Sequence, residues 1–176
     1  MIFDEMKKAA YRDVLKDLLK ISSPSGKERV MTEHIAAIAR EYASDVFYDN
    51  YGNLMVRVGG QGKKLMLCAH TDELGFWVRS ISDDGFLSVA NVRVPDKCIE
   101  ARQVLVDGRI PGIVGTKAAH LQSPEERRLL VSANYIFFDI GVSSRAVAEA
   151  LGVKIGSYAS PMYNYIEMSN SDLICC

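Results

Sequence analysis

Cysteine and proline are scarce in this chain, four and five in 176 residues. Four irregularly spaced cysteines are too few for a disulfide scaffold, and a chain of this length buries a core without staples. Excess charge of either sign is also missing: 21 Lys and Arg stand against 22 Asp and Glu, a formal net charge of −1. A near-neutral chain carries no electrostatic footprint for a phosphate backbone or an anionic lipid surface, which excludes nucleic acid as the main partner. No apolar run reaches the ~18–20 residues of a membrane span. The opening Met1-Ile2-Phe3-Asp4-Glu5-Met6-Lys7-Lys8 lacks the charged-then-apolar order of a signal peptide. The expectation is a cytoplasmic protein with no membrane partner. Apolar residues make up 48% and charged residues 24%, a globular composition sized for one domain or two small lobes.

The first 42 residues carry the period of helices. Met6, Ala10, Val14, Leu15, Leu18 and Leu19 form an i, i+3/i+4 stripe over residues 4–20, stopped by Ser22-Ser23-Pro24-Ser25-Gly26. Ser25 followed by Glu28 has the spacing of a capping box, and Val30, Met31, Ile35, Ile38 and Tyr42 then mark one face of a second helix. Period 2 takes over next. Residues 46–48 and 54–58 read as strands around Asn50-Tyr51-Gly52, and residues 64–69 as a strand buried on both faces of an α/β sheet.

From Gly75 to about Ser160 the texture is short strands and glycine turns. Residues 76–81 and 86–89 flank Ser82-Asp83-Asp84-Gly85, and residues 104–106 and 110–114 flank Asp107-Gly108-Arg109, two hairpins. Ser123-Pro124-Glu125-Glu126 predicts a helix start, residues 136–140 a strand, and residues 143–151 a short capped helix ended by Gly152. The fold class is α/β: a partial α/β lobe with a barrel-like, β-rich lobe inserted after its buried strand. The divisions fall at residues 1–73, 74–160 and 161–176, and the inserted lobe is expected to have a core including Phe76, Val78, Leu105, Val114, Phe137 and Ile140.

His70 and Asp72 stand where the buried-type strand ends, the place where open α/β sheets collect their chemistry. Two residues apart on an extended backbone, they point to the same side. A carboxylate so placed holds one imidazole nitrogen and leaves the other for a divalent metal. Spacing alone is met more often by a hydrogen-bonded histidine in a turn. Glu73 reads as a solvated carboxylate, His34 as a helix-surface histidine and His120 as a loop histidine, which the family resemblance given below would instead set near the site. Trp77 reads as packing, Cys68 as a buried, inert thiol and Cys98 as an isolated one. The vicinal Cys175-Cys176 lacks the spacing of a zinc site.

Longer blocks identify a family. Ser23-Pro24-Ser25-Gly26, residues 49–53, and Ala69-His70-Thr71-Asp72-Glu73-Leu74-Gly75-Phe76 resemble the cytosolic dinuclear metallo-aminopeptidases. That family includes glutamyl, deblocking and tetrahedral aminopeptidases, some labelled endoglucanase. Gly112-Ile113-Val114-Gly115-Thr116-Lys117, His120-Leu121, residues 138–144 and residues 151–156 continue in family order. The resemblance implies a zinc-peptidase lobe interrupted by a β-rich assembly lobe, a peptide substrate and a homo-oligomer. It assigns His70 as a ligand of one of two divalent metals, zinc or cobalt, and Asp72 as the catalytic-site residue orienting it.

Family members are longer, and their later segment carries the bridging aspartate, the base glutamate and the other ligands. The terminal stretch here shows no such block. Asp172 lies near where the bridging aspartate would follow, without the expected double aspartate, and Glu167 is a further tail carboxylate. A catalytic zinc needs about three protein ligands. The expected function is a metal-dependent aminopeptidase with an incomplete ligand set, little active or inactive alone; the alternative is a catalytically silent assembly module of the same descent. Either way, the uncovered edge of residues 65–69 is expected to invite self-association.

Overall fold

The structure, a computed structural model, describes residues 2–92, 94, 101–124, 136–169 and 174–175, with the side chains of residues 2–9, 92, 119, 174 and 175 excepted. The two opening helices are present as α1 (Ile2–Leu18) and α2 (Arg29–Ala39). Leu15, Leu18 and Leu19 are half-buried, while Ala10 and Val14 of the anticipated stripe face outward. In α2 the buried positions are Thr32 and Ala36, flanked by half-buried Met31, Ile35 and Ile38; Val30 and Tyr42 are exposed. The capping box does not form. The Ser25 hydroxyl is spent on Asp72, and Glu28 instead accepts from the Gly26 amide at 2.6 Å.

Strands β1 (Asp45–Tyr48) and β2 (Leu54–Arg57) make the expected antiparallel hairpin. Its turn is built on Asp49, which accepts from the amides of Tyr51 and Asn53 and from the Asn53 side chain at 2.7–2.9 Å. Residues 65–69 depart from expectation. They pair with no strand among the described residues, and Leu65, Met66 and Leu67 are 84%, 75% and 87% exposed. A buried-type sequence is buried only when neighbouring strands and helices cover both its faces. Cys68, on the same segment, is exposed as well.

Six strands then close a barrel in the order β3-β4-β7-β6-β5-β8: β3 (Gly75–Ile81), β4 (Leu87–Val92), β5 (Gln103–Val106), β6 (Ile110–Gly115), β7 (Phe137–Asp139) and β8 (Tyr158–Pro161). Closure leaves the barrel with no open sheet edge. Alternation selects the interior: Phe76, Val78, Leu87, Val89, Val104, Val106, Val114, Phe138 and Ala159 are buried together, with Phe76 and Phe138 in edge-to-face contact at 5.0 Å. In β3 the inward phase switches from Phe76 and Val78 to Ile81, because Arg79 is an extra residue at the register shift between Val78 and Ser80.

Of the anticipated core, Phe76, Val78 and Val114 lie inside and Ile140 packs partly against it. Leu105 and Phe137 do not belong to it. They occupy the outward positions beside inward Val104, Val106 and Phe138, and Phe137 stacks on Phe86 at 4.9 Å.

Both anticipated barrel hairpins form, the second turning through Asp107 (φ 49°) and Gly108 (φ 66°) in the left-handed pair of a type I′ turn. Asp107 is held there by the Ser157 hydroxyl at 2.7 Å and the Tyr158 amide at 3.1 Å. Helix α3 (Arg145–Ala150) is capped by Ser144, whose hydroxyl accepts from the Val147 amide, and it buries Ala148 against the barrel. The tail contributes a short pair, β9 (Ile166–Glu167) with β10 (Ile174–Cys175). The helix anticipated to start at Ser123-Pro124-Glu125-Glu126 continues beyond Pro124 outside the described residues, where Cys98, Asp172 and Cys176 also lie. Among the described residues no helix is long and apolar enough to cross a membrane.

Candidate functional site

Two loops meet where the helices join the barrel. One is the helix-breaking Ser22-Ser23-Pro24-Ser25-Gly26 after α1; the other is His70-Thr71-Asp72-Glu73-Leu74 before β3. They are laced together by backbone and hydroxyl groups. The Glu73 amide donates to the Ser23 carbonyl at 2.9 Å, the Ser23 amide donates to Glu73 Oε1 at 2.6 Å, and the Ser23 hydroxyl donates to the Thr71 carbonyl at 3.0 Å. Pro24 and Glu73 form an isolated parallel bridge. Gly75 allows the approach: a Cβ there would lie 2.5 Å from Pro24 Cβ and 2.8 Å from the Ala159 carbonyl.

Within this junction the structure brings His70 and Asp72 together. Nδ1 of His70 lies 2.9 Å from Asp72 Oδ1 and 2.9 Å from the Asp72 carbonyl oxygen. The other carboxylate oxygen, Oδ2, accepts the Ser25 hydroxyl. That hydroxyl chiefly holds the Asp72 carboxyl below the ordinary range; burial opposes it next, and His70 adds further lowering. The imidazole is 85% exposed, and its Nε2 has no hydrogen-bond partner among the described residues. In a neutral ring whose Nδ1 donates to these oxygens, Nε2 carries the free lone pair that a metal-ligating imidazole needs. The pair lines a cleft of 790 Å³ walled by Leu18, Leu19, Met31, Ile35 and Leu74.

Glu73 is not the solvated carboxylate that its position after a strand implies. It is half-buried, accepts from the Ser23 amide and is hydrogen-bonded by Ser160 and Ser22, whose hydroxyls are themselves 2.6 Å apart. Burial outweighs those bonds and pushes its carboxyl above the usual range. Ser25 and Glu73 are thus the site neighbours that pattern reading missed. The signal for both was the serine cluster itself, read there as a helix stop, a capping box and a family block, with no partner across the chain.

The remaining candidates lie elsewhere. His120 is exposed on a short 3-10 helix, Ala119–Leu121. His34 is half-buried on α2 rather than on the helix surface, its Nε2 enclosed without a partner among the described residues. Trp77 is half-buried beneath the Lys27 ammonium, 5.7 Å from its ring centre. Glu167 is paired with Lys16 at 3.4 Å. Among the described residues no three of His, Cys, Asp and Glu gather at metal-binding spacing. His70 with Asp72 therefore fits one arm of a metal site, and the described residues do not fit a two-metal centre.

Comparison with known proteins shows what the chain as a whole is similar to. The sequence matches the M42 glutamyl aminopeptidase family over residues 52–176, a range that takes in the tail. It is 28% identical to the lysyl aminopeptidase of Pyrococcus furiosus over 89% of this chain and 47% of that protein. Among solved structures it resembles the TET aminopeptidase of a marine sediment Thaumarchaeota archaeon, with TM-score 0.83 and 30% identity over 90% of this chain and 46% of that one. The TET1 peptidase of Pyrococcus horikoshii, which can assemble into a tetrahedron or a large octahedral shell, matches with TM-score 0.76 and 29% identity over 88% of this chain and 47% of its own. The chain spans just under half the length of these relatives. Because the family match spans well over half of this sequence, the chain belongs to the M42 glutamyl aminopeptidase family.

Proposed function

We propose that this chain supplies the His70–Asp72 arm of a metal-dependent aminopeptidase site together with the barrel through which such an enzyme assembles. By itself it turns over peptides slowly or not at all. The observation that carries the reading is the orientation of His70, whose Nδ1 is fixed at 2.9 Å by Asp72 while Nε2 stays open. In this reading His70 is a ligand for a divalent ion, zinc or cobalt, both suited to nitrogen and oxygen donors. Asp72 positions it, and Ser25 positions Asp72. Such an ion, when bound, supplies Lewis-acid chemistry for hydrolysis of an amino-terminal peptide bond. The polypeptide divides functionally into residues 1–73 of the peptidase lobe, an inserted assembly lobe over 74–160 and a tail over 161–176. It works in the cytoplasm as a homo-oligomer.

A second reading, a catalytically silent assembly module, is favoured by one contrast. The barrel is closed, while the described residues gather one oriented imidazole and no group of three ligands. One experiment separates the two. The pure protein is loaded with zinc or cobalt and assayed on amino-terminal amide substrates, with His70→Ala as control. Little or no turnover is expected from the chain alone, and one weak zinc equivalent that disappears in His70→Ala. Metal-dependent turnover lost in His70→Ala would overturn the claim of low activity. Zinc binding unchanged by His70→Ala would overturn the assignment of the arm and leave the silent module.

A further inference from the structure

The loop after α1 lies along the outward face of β3, where Gly75 and Trp77 alternate with inward Phe76 and Val78. Its four residues Pro24-Ser25-Gly26-Lys27 make a turn closed by the Lys27 amide donating to the Pro24 carbonyl at 2.8 Å. Gly26 takes a φ of +90° at the third position, the pattern of a type II turn. A Cβ at Gly75 would strike Pro24, and one at Gly26 would touch Trp77 Cζ2 at 3.4 Å. Ser25 stands between these two contacts, with its hydroxyl on Asp72. We infer that Lys27 is a positioning residue for the His70–Asp72 arm: its ammonium, held over Trp77 and Tyr158, seats the turn on β3 and so keeps the Ser25 hydroxyl on Asp72. The inference rests on the reading of His70 as a ligand, which is why the direction of its ring matters.

Trp77 and Tyr158 are directly opposite each other on β3 and β8, a cross-strand aromatic pair, both half-buried. Lys27 Nζ stands 5.7 Å from the Trp77 ring centre and 5.9 Å from that of Tyr158, within the ~6 Å over which a ring face attracts an ammonium. Among the described residues no carboxylate pairs with Lys27, so the two rings hold its head. The rings are themselves fixed. Both belong to the closed barrel, and the Tyr158 amide donates to Asp107 at 3.1 Å.

The turn is thus held at both ends, by Pro24 against Gly75 and by Lys27 against the aromatic pair. With the second hold removed, the turn keeps only its hinge at Pro24. Ser25 then leaves Asp72 for part of the time, and the His70 ring divides between its two neutral tautomers.

Three variants separate the parts. Lys27→Arg keeps a cation over the rings, Lys27→Met keeps the stem without the charge, and Lys27→Glu sets a carboxylate against their negative faces. Lys27 is exposed, so each should fold, and circular dichroism verifies it. The chain has one tryptophan, so its emission reads the contact directly and should change in Lys27→Met and Lys27→Glu. Nitrogen NMR, at a pH that keeps imidazole neutral and with no metal added, reads the ratio of Nδ1–H to Nε2–H at His70, assigned with His70→Ala. That ratio should fall about two- to five-fold in Lys27→Met, fall further in Lys27→Glu and hold its parent value in Lys27→Arg. In a Ser25→Ala background Lys27→Met should lower it no further, because the hydroxyl that Lys27 positions is gone.

Unchanged emission in Lys27→Met and Lys27→Glu would overturn the contact. Changed emission with an unchanged tautomer ratio would overturn the positioning role. So would a loss in Lys27→Arg equal to that in Lys27→Met, or a fully additive loss in the Ser25→Ala background. Because the ratio is read without metal, failure of zinc to bind at His70 would sink the proposed function and leave this result standing.

Discussion

One carboxylate joins two loops: Asp72 holds Nδ1 of His70 with Oδ1 at 2.9 Å and accepts the Ser25 hydroxyl on Oδ2. The residue that breaks the chain out of α1 thereby fixes the residue that orients the imidazole, 47 positions further on. A helix-stop serine and a His-x-Asp pair are unremarkable apart. Joined, they make a positioned donor.

Removing the hydroxyl should release Asp72. Its carboxyl is held down chiefly by Ser25, so Ser25→Ala should let its pKa rise toward the ordinary aspartate value, whereas Ser25→Thr keeps a donor and should change it little. Carbon NMR titration of the Asp72 carboxyl reads the shift. An unchanged pKa in Ser25→Ala would show that the hydroxyl does not hold the carboxylate.

Glu73 predicts a pH dependence of stability with the opposite sign to that of most carboxylates. Burial raises its pKa in the folded chain, so the folded state keeps its proton where the unfolded state has lost it. Below the ordinary glutamate range both states are protonated and the group contributes no difference. As pH rises from that range through the folded pKa, stability falls, and above it the loss is complete. Glu73→Gln retains an acceptor for the Ser23 amide and carries no charge to desolvate. Its melting temperature should match the parent near pH 4 and exceed it at pH 8, and thermal melts across that interval measure the crossing.

The junction should be intolerant of a single methyl. Gly75→Ala puts a Cβ 2.5 Å from Pro24 and 2.8 Å from the Ala159 carbonyl, so Pro24 or β8 must move, at a cost of about 1–3 kcal/mol. Gly59→Ala meets nothing within 4 Å and should be within about 0.5 kcal/mol of the parent. Denaturant melts of the two variants give the comparison, and equal stabilities would mean the loops are not held as described.

Neighbouring phenylalanines in β7 should differ sharply. Phe138 is fully buried at the barrel centre against Phe76, and Phe138→Ala should cost about 3–5 kcal/mol. Phe137 is half-buried on the outer face, stacked on Phe86 and lying over Gly115. Its truncation should cost about 1–2 kcal/mol, from partial burial and one aromatic pair. Urea denaturation reads both, and a larger loss at 137 than at 138 would reverse the assignment of inside and outside.

Local pattern determined a good deal of this protein. The two opening helices, the hairpins around residues 82–85 and 107–109, and the short helix capped at its start were legible because each depends on residues within a few positions of one another. The His70–Asp72 pair was legible for the same reason, two residues on one side of an extended backbone. Tertiary structure decided what local pattern could not.

Whether Leu105 and Phe137 face in or out depends on the phase of a strand against its barrel neighbours, and one extra residue such as Arg79 resets that phase. Whether residues 65–69 are buried depends on partners that apolar composition presupposes but does not supply, so Cys68 and the leucines beside it lie open. Ser25 left its capping role and Glu73 its solvated one because each found a stronger partner across the chain, Asp72 at 47 residues' distance and Ser23 at 50. A short polar side chain satisfies whichever donor or acceptor the fold brings nearest, and only the closed junction between helices and barrel names that partner.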